Sequence, residues 1–290
     1  MRPQDLKTRI FLDSGDPLDT KEVLEQLGFL DGQTTNPSLV AKNPQMQEKI
    51  VSGLQLTGEE VNDFYKGIVK EISELLPEGS VSIEVYGDAD TTAEEMLLQA
   101  REMNTWIPNG HIKFPTISAG LEAAEHFIGE DKGRVNMTLI FSQQQAAAVY
   151  AATQGAQKGD VFLSPFVGRL DDIGINGMSL IEDVIQTYRN GDGHVEILVA
   201  SVRNLDHFLY SLALGADIIT APKNILLEWA EHDLPVPGID YVYGLQDWDD
   251  IEFEDLSLEK DWSEYDIHHQ LTDTGLERFA SDWNKLIGRS

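Results

Sequence analysis

Eight times between residues 10 and 231, a short apolar run suited to a pleated strand is followed by a segment with helical periodicity. The strand candidates are 10–14, 32–36, 81–85, 110–116, 135–141, 161–167, 195–201 and 216–222. Pro37, Pro115 and Pro222 stop three of them, since proline cannot donate to a ladder. The strongest helical stripe is Val61, Phe64, Tyr65, Ile68, Val69, Ile72, Leu75 and Leu76. Asp19 and Glu22 have capping-box spacing ahead of Val23, Leu24 and Leu27, and Ser142 is placed to cap an Ala-rich helix running through Ala152. This alternation predicts an α/β chain folded as a (β/α)8 TIM barrel. No Gly-rich dinucleotide fingerprint or P-loop follows the first strand, which disfavours a doubly wound sheet. Residues 1–290 read as a single barrel domain, with an acidic loop over 238–270 and an extra C-terminal helix over about 272–287.

The totals narrow the function. The chain has no cysteine, which excludes disulfides, thiolate catalysis and Cys-ligated metals. No apolar run approaches membrane-spanning length, and the N-terminus lacks a signal-peptide core, so a cytoplasmic protein is expected, with no membrane partner. The formal charge of −29 argues against nucleic acid, whose phosphates demand basic surface. A phosphorylated small molecule would need local cations against that field.

The tail has its own character. Residues 246–266 hold ten acidic residues and one lysine, yet also Trp248, Phe253 and Trp262. Pure disorder would lack those rings, so the stretch reads as a solvated loop pinned by a few aromatics. Thr272 is placed to N-cap a last helix with the stripe Leu276, Phe279, Trp283 and Leu286 or Ile287. That helix must cover the barrel's own mouth or a neighbouring subunit; a homo-oligomer stays open.

In such barrels the active site lies at the C-terminal strand ends. In strand order the polar residues there are Asp13; Thr34 and Asn36; Glu84; Lys113; Asn136 and Thr138; Ser164 and then Arg169; Ser201 and Arg203. Singly, each has an ordinary explanation. Asp13 could cap a helix, Thr138 could be a β-branched strand residue, and Arg169 could pair with Asp171 or Asp172. Jointly they describe a Schiff-base site with a phosphate clamp. Lys113, between Ile112 and Phe114, would attack a ketone to give an iminium, which lets the neighbouring C–C bond break. Glu84 would donate the proton for loss of water through a water held by Thr138, and Asp13 would act as base on the departing carbon's hydroxyl. Asn36 and Ser164 would hold hydroxyls, and Arg169, Arg203 and Ser201 would take a phosphate.

The chain here resembles the transaldolase family. The residues that carry the resemblance are Phe11-Leu-Asp13, Thr34-Thr-Asn-Pro-Ser38, Val81-Ser-Ile-Glu-Val85, Ile112-Lys113 with Pro115, Asn136-Met-Thr-Leu-Ile-Phe-Ser142, Ser164-Pro-Phe-Val-Gly-Arg169, Ala200-Ser-Val-Arg-Asn204 and Gly215-Ala-Asp with Thr220. The tail Leu271-Thr-Asp-Thr-Gly-Leu-Glu-Arg-Phe279 with Asp282-Trp283 is also similar to the family's C-terminal helix. The resemblance implies dihydroxyacetone transfer from sedoheptulose 7-phosphate to glyceraldehyde 3-phosphate, with sugar phosphates as partners and neither metal nor organic cofactor. By position it makes Lys113 the Schiff-base lysine, Asp13 the acid/base group and Glu84 with Thr138 the water-linked pair. Thr34, Asn36, Asn136, Ser164, Phe166, Arg169, Ser201 and Arg203 fall on substrate and phosphate contacts. Glu84 and Phe166 match the transferases, where the sister fructose 6-phosphate aldolases usually carry glutamine and tyrosine. The alternatives are such an aldolase, or a sugar-phosphate-binding barrel without catalysis. Gln33, His111 and Phe114 depart from the family pattern, and the acidic stretch has no counterpart in it.

Overall fold

The structure, a computed structural model, describes residues 1–52, 56–244 and 248–287. Eight parallel strands pair in sequence order and close into a barrel, β8 pairing with β1. They are β1 (Arg9–Asp13), β2 (Gly32–Thr34), β3 (Ser80–Glu84), β4 (Gly110–Pro115), β5 (Val135–Ile140), β6 (Val161–Pro165), β7 (Val195–Val199) and β8 (Ile218–Ala221). Between them run α1 (Pro17–Leu27), α2 (Pro37–Ala41), α3 (Pro44–Val51), α4 (Gly58–Leu75), α5 (Ala93–Met103), α6 (Ser118–Gly129), α7 (Gln143–Ala152), α8 (Val167–Asp171), α9 (Gly177–Tyr188) and α10 (Leu205–Leu214). Beyond β8 come α11 (Lys223–Glu231) and α12 (Gln270–Leu286).

The expected α4 stripe is the face α4 buries: Val61, Tyr65, Ile68, Val69 and Ile72 all turn inward. Two expected helix starts move. The acceptor of α1 is Asp16, followed by Pro17 at the first helical position, and not Asp19, which lies inside the helix and bonds Ser14 and Lys223. Proline's fixed φ and missing N–H suit that first position, and they outweigh the Asp19–Glu22 spacing. Likewise His269 caps α12 through its Nδ1, while Thr272 sits a turn in and spends its hydroxyl on tertiary structure.

The barrel interior is unusually polar. Branched apolar layers are the norm. Here Phe11 and Phe162 meet edge to face at 5.9 Å, and His111 stacks on Phe162 at 4.0 Å. Nearer the strand starts, Arg9 pairs with Glu196 at 2.6 Å. His111 Nε2 donates to Gly159 O, so Nδ1 accepts from Ser80 Oγ. Burial pushes the His111 pKa down to about 3, so the ring is a neutral packing element. Gly32 makes room for this layer: a Cβ there would lie 2.6 Å from the Phe11 ring and 2.5 Å from Ser80 O. The other two departures point outward, as strand alternation requires. Phe114 packs on Phe127 of α6, and Gln33 is satisfied by Thr20 and Ser14 O under α1.

The acidic stretch is a strap, fastened both by rings and by side-chain amides: Tyr265 is buried in the core and Trp262 packs against it. Gln246 and Asp247 lie outside the described residues. From Asp249 the strap bridges to Ile175, and Ile251 N donates to Ser179 Oγ beside α9. Three consecutive glutamines at the start of α7 then hold it. Gln143 bonds Glu252 O and Glu254 N, Gln144 bonds the Glu254 carboxylate, and Gln145 donates to Ile267 O and Thr272 Oγ1. Of the predicted rings, Trp262 reaches Glu125 on α6 while Phe253 stays exposed. The strap delivers α12 onto the mouth of its own barrel, against α2 and β5. Leu276, Phe279, Trp283 and Leu286 are buried there, each contributing roughly 1.5–3 kcal/mol. Thr272 Oγ1 donates to Leu139 O, and Ser38 bonds Asp282.

Candidate active site

Residues paired across parallel strands face the same side of the sheet, so register tells which side chains converge. Asp13 pairs with Thr34, Thr34 with Ser82, Glu84 with Lys113, and Lys113 with Asn136. Contacts that skip a strand identify this side as the interior. Thr34 Oγ1 of β2 bonds Thr220 Oγ1 of β8 at 2.6 Å, and Asn136 Nδ2 of β5 donates to Ser82 Oγ of β3 at 3.0 Å. Lys113 Nζ reaches from β4 to Thr35 O, 3.4 Å away beyond β2.

At the centre Lys113 Nζ lies 2.8 Å from Glu84 Oε2, with both side chains 4% exposed. Lys113 thus faces inward, as the sequence leads one to expect, and meets Glu84 as a direct ion pair. Burial removes both charges from water, and such a pair rarely repays that cost in stability. Burial is the main cause that pushes the Glu84 carboxyl above the usual range, opposed by Lys113 and by Arg169. Burial likewise raises the Asp13 carboxyl, against the Thr34 hydrogen bond and the Lys113 and Lys42 charges. Thr34 Oγ1 donates to Asp13 Oδ1 at 2.7 Å, so the hydroxyls of Thr220 and Thr34 line up on the carboxylate. Asp13 caps no helix.

Tyr65 on α4 fixes the backbone on both sides of this pair. Its hydroxyl accepts from Glu84 N at 2.9 Å and bonds Thr35 Oγ1 at 2.6 Å. Because Thr35 Oγ1 donates to Ser82 O, the phenol is the donor to Thr35. In the sequence Tyr65 reads only as one more member of an apolar stripe.

Thr138 lies one inward position above Asn136 on β5, and its hydroxyl is buried with no hydrogen-bond partner among the described residues. Leaving such a group unmet by any partner costs about 1–3 kcal/mol. Immediately beyond it the ladder breaks register, with Leu139 at φ +61°. That left-handed residue is uncommon for leucine and turns its carbonyl to Thr272.

The remaining predicted residues complete a cavity of about 240 Å³ bounded by Asp13, Lys113 and Ser164 below and by Phe166, Arg169, Ser201 and Arg203 above. Ser164 Oγ donates to Asn136 Oδ1 at 2.6 Å. Asn36 spends its amide oxygen on capping α2 through Leu39 N, which leaves its amide nitrogen for the cavity. Arg169 pairs with neither Asp171 nor Asp172. Asp171 faces His207 at 2.8 Å, and Asp172 pairs with Arg203. Arg169 is held instead between the rings of Phe166 and Phe279, at 5.2 and 5.4 Å. Gly168 is required in the motif before it, since a Cβ there would sit 2.3 Å from Arg203 Cγ and 2.4 Å from Ser201 O. Lys42, Thr220 and Arg278 also line the cavity, and sequence reasoning singled out none of them as site residues. Inward parity on β8 could have found Thr220; an arginine on a helix surface gives no such signal.

Comparison with known proteins agrees with this geometry. The family model described as transaldolase/fructose-6-phosphate aldolase matches residues 10–290. A protein of Dehalococcoides mccartyi named "Probable transaldolase" is 38% identical over 244 residues, 84% of this chain and 99% of its own. One of Syntrophobacter fumaroxidans with the same name is 36% identical over 278 residues, 96% of this chain and 97% of its own.

Proposed function

The chain belongs to the transaldolase/fructose-6-phosphate aldolase family, and we propose that it is a transferase that moves a dihydroxyacetone unit between sugar phosphates through a Schiff base on Lys113. Sedoheptulose 7-phosphate is the donor and glyceraldehyde 3-phosphate the acceptor, as in the non-oxidative pentose phosphate pathway. The observation that carries this reading is the buried Lys113–Glu84 pair facing Asp13 at the base of a cavity rimmed by arginines.

The geometry supports the following course. To attack the ketone, Lys113 must shed a proton, and Glu84, 2.8 Å away and pushed up by burial, is a better acceptor than an exposed glutamate. Nucleophilic addition gives a carbinolamine. Glu84 returns the proton as water leaves, with the free Thr138 hydroxyl holding the water. Asp13 then takes the proton of the hydroxyl on the departing carbon, and the electrons of the broken C–C bond flow into the iminium. Asn36, Asn136 and Ser164 orient hydroxyls, while Arg169, Arg203 and Ser201 hold the phosphate.

Phe166 explains why transfer is favoured over release. It lines the cavity and is packed by Phe141 and Arg169, and it offers no proton to the carbanion. In Phe166→Tyr, dihydroxyacetone release without acceptor should rise at least about tenfold relative to transfer, because a positioned acid supplies the missing proton. Assays with and without glyceraldehyde 3-phosphate check both the reaction and the split. Wild-type enzyme that releases dihydroxyacetone as readily as it transfers it would mean a simple aldolase.

Asp13 also predicts a pH effect. It acts ionised, and its carboxyl is raised, so kcat/KM falls on the acid side at a higher pH than for an exposed aspartate. Thr34→Val removes a hydrogen bond that favours the ionised form, and should move that limb further up. A limb that stays put or moves down would show that another group controls it.

A further inference from the structure

The rim of the cavity holds more positive charge than the predicted phosphate clamp needs. Lys42, Arg169, Arg203 and Arg278 all line it, in a chain of formal charge −29, and among the described residues the one acidic side chain lining it is Asp13 at its base. Of the three guanidiniums, Arg203 has Asp172 at 2.9 Å; Arg169 and Arg278 make no ion pair or hydrogen bond among the described residues. Burial, then the charges of Arg278 and Arg203, push the Arg169 guanidinium below its usual range. Such mutual repulsion is relieved by an anion placed among them.

The helix that carries Arg278 is fitted to this place. A Cβ on Gly275 would lie 2.7 Å from Arg169 Nη1 and 2.6 Å from Leu139 Cδ2, so the absence of a side chain lets α12 settle directly onto Arg169. One residue past Arg278, Phe279 forms one of the two rings that grip the Arg169 guanidinium. Aromatic faces fix the cation without using its N–H groups, which stay available for oxygen acceptors.

We propose that Arg278, supplied by α12, is a third guanidinium ligand of the substrate phosphate, and that it makes the docked C-terminal helix a determinant of specificity for phosphorylated over unphosphorylated sugars. This rests on the transferase reading above. With phosphate bound, α12, the β6 end and the β7 end are joined by one dianion, and a sugar without phosphate lacks that link.

The test compares wild type, Arg278→Gln and Arg278→Lys. Arg278 is exposed, so neither change disturbs the core. Calorimetry measures the affinity for inorganic phosphate, and kcat/KM is measured with glyceraldehyde 3-phosphate and with glyceraldehyde as acceptors. Arg278→Gln should weaken phosphate binding and lower kcat/KM for the phosphorylated acceptor at least about tenfold, the scale of a lost charge-assisted contact. The value for glyceraldehyde should stay within about twofold, and Arg278→Lys should recover most of the loss by keeping the charge. Wild-type enzyme that binds phosphate and traps substrate on Lys113, with Arg278→Gln indistinguishable from it, overturns this proposal alone. Wild-type enzyme that fails to trap substrate overturns the transferase reading, and this proposal with it.

Discussion

Replacing Lys113 by alanine is expected to lower turnover at least about ten-thousand-fold, the scale seen when a covalent nucleophile is removed. The barrel should still fold. Deleting one member of a buried ion pair ordinarily costs about 3–5 kcal/mol, because a naked charge is left behind. Here the partner can escape that penalty. Burial already pushes the Glu84 carboxyl upward, and Lys113 is the strongest influence opposing it, so without the lysine Glu84 takes up a proton and becomes neutral. Borohydride reduction in the presence of fructose 6-phosphate, followed by peptide mass mapping, should place an adduct on Lys113 in the wild type and none in the variant. Persistence of turnover in a folded Lys113→Ala protein, or an adduct mapped elsewhere, would refute the Schiff-base assignment.

Glu84→Gln should lower kcat by about a hundred- to a thousandfold, within the range for loss of a positioned acid–base group. The amide occupies nearly the same space, so the backbone contacts from Tyr65 and the strand register should survive. What disappears is the group that, on the proposed course, shuttles protons for the carbinolamine. Trapping should therefore persist at long incubation while its rate falls with kcat. The measurement is a single-turnover time course of adduct formation. If the adduct forms at wild-type speed in the variant and turnover holds within about twofold, Glu84 is a structural counter-ion and no more.

The parts of the site that were legible in the sequence are those governed by strand alternation. Lys113 between Ile112 and Phe114 must face opposite to both, and the structure puts Phe114 on the helix layer and Lys113 inside. The same parity sets Glu84, Asn136 and Ser164 on one wall. Helix surfaces carry no such constraint. Arg278 reads as one more solvated charge until α12 is known to lie on the mouth, and Tyr65 reads as packing until its hydroxyl is seen between Thr35 and Glu84. The strap is legible only in part for a similar reason. Its rings are readable as anchors, and Trp262 serves as one, but the neutral amides on α7 also hold it, and a run of glutamines at a helix start announces no partner.

The docking of α12 also has a consequence in time. Its fastenings span the chain: Thr272 bonds Leu139, 133 positions earlier, and Asp282 bonds Ser38, 244 positions earlier. Domains fold as the chain emerges from its N-terminal side, and contacts this distant in sequence close late. Every strand, and with them Lys113, Glu84 and Asp13, precedes α12 in synthesis. A growing chain thus contains the buried lysine before it contains the helix that completes the cavity. The turns of α12, made after all eight of these strands, are the ones that close the cavity over Lys113.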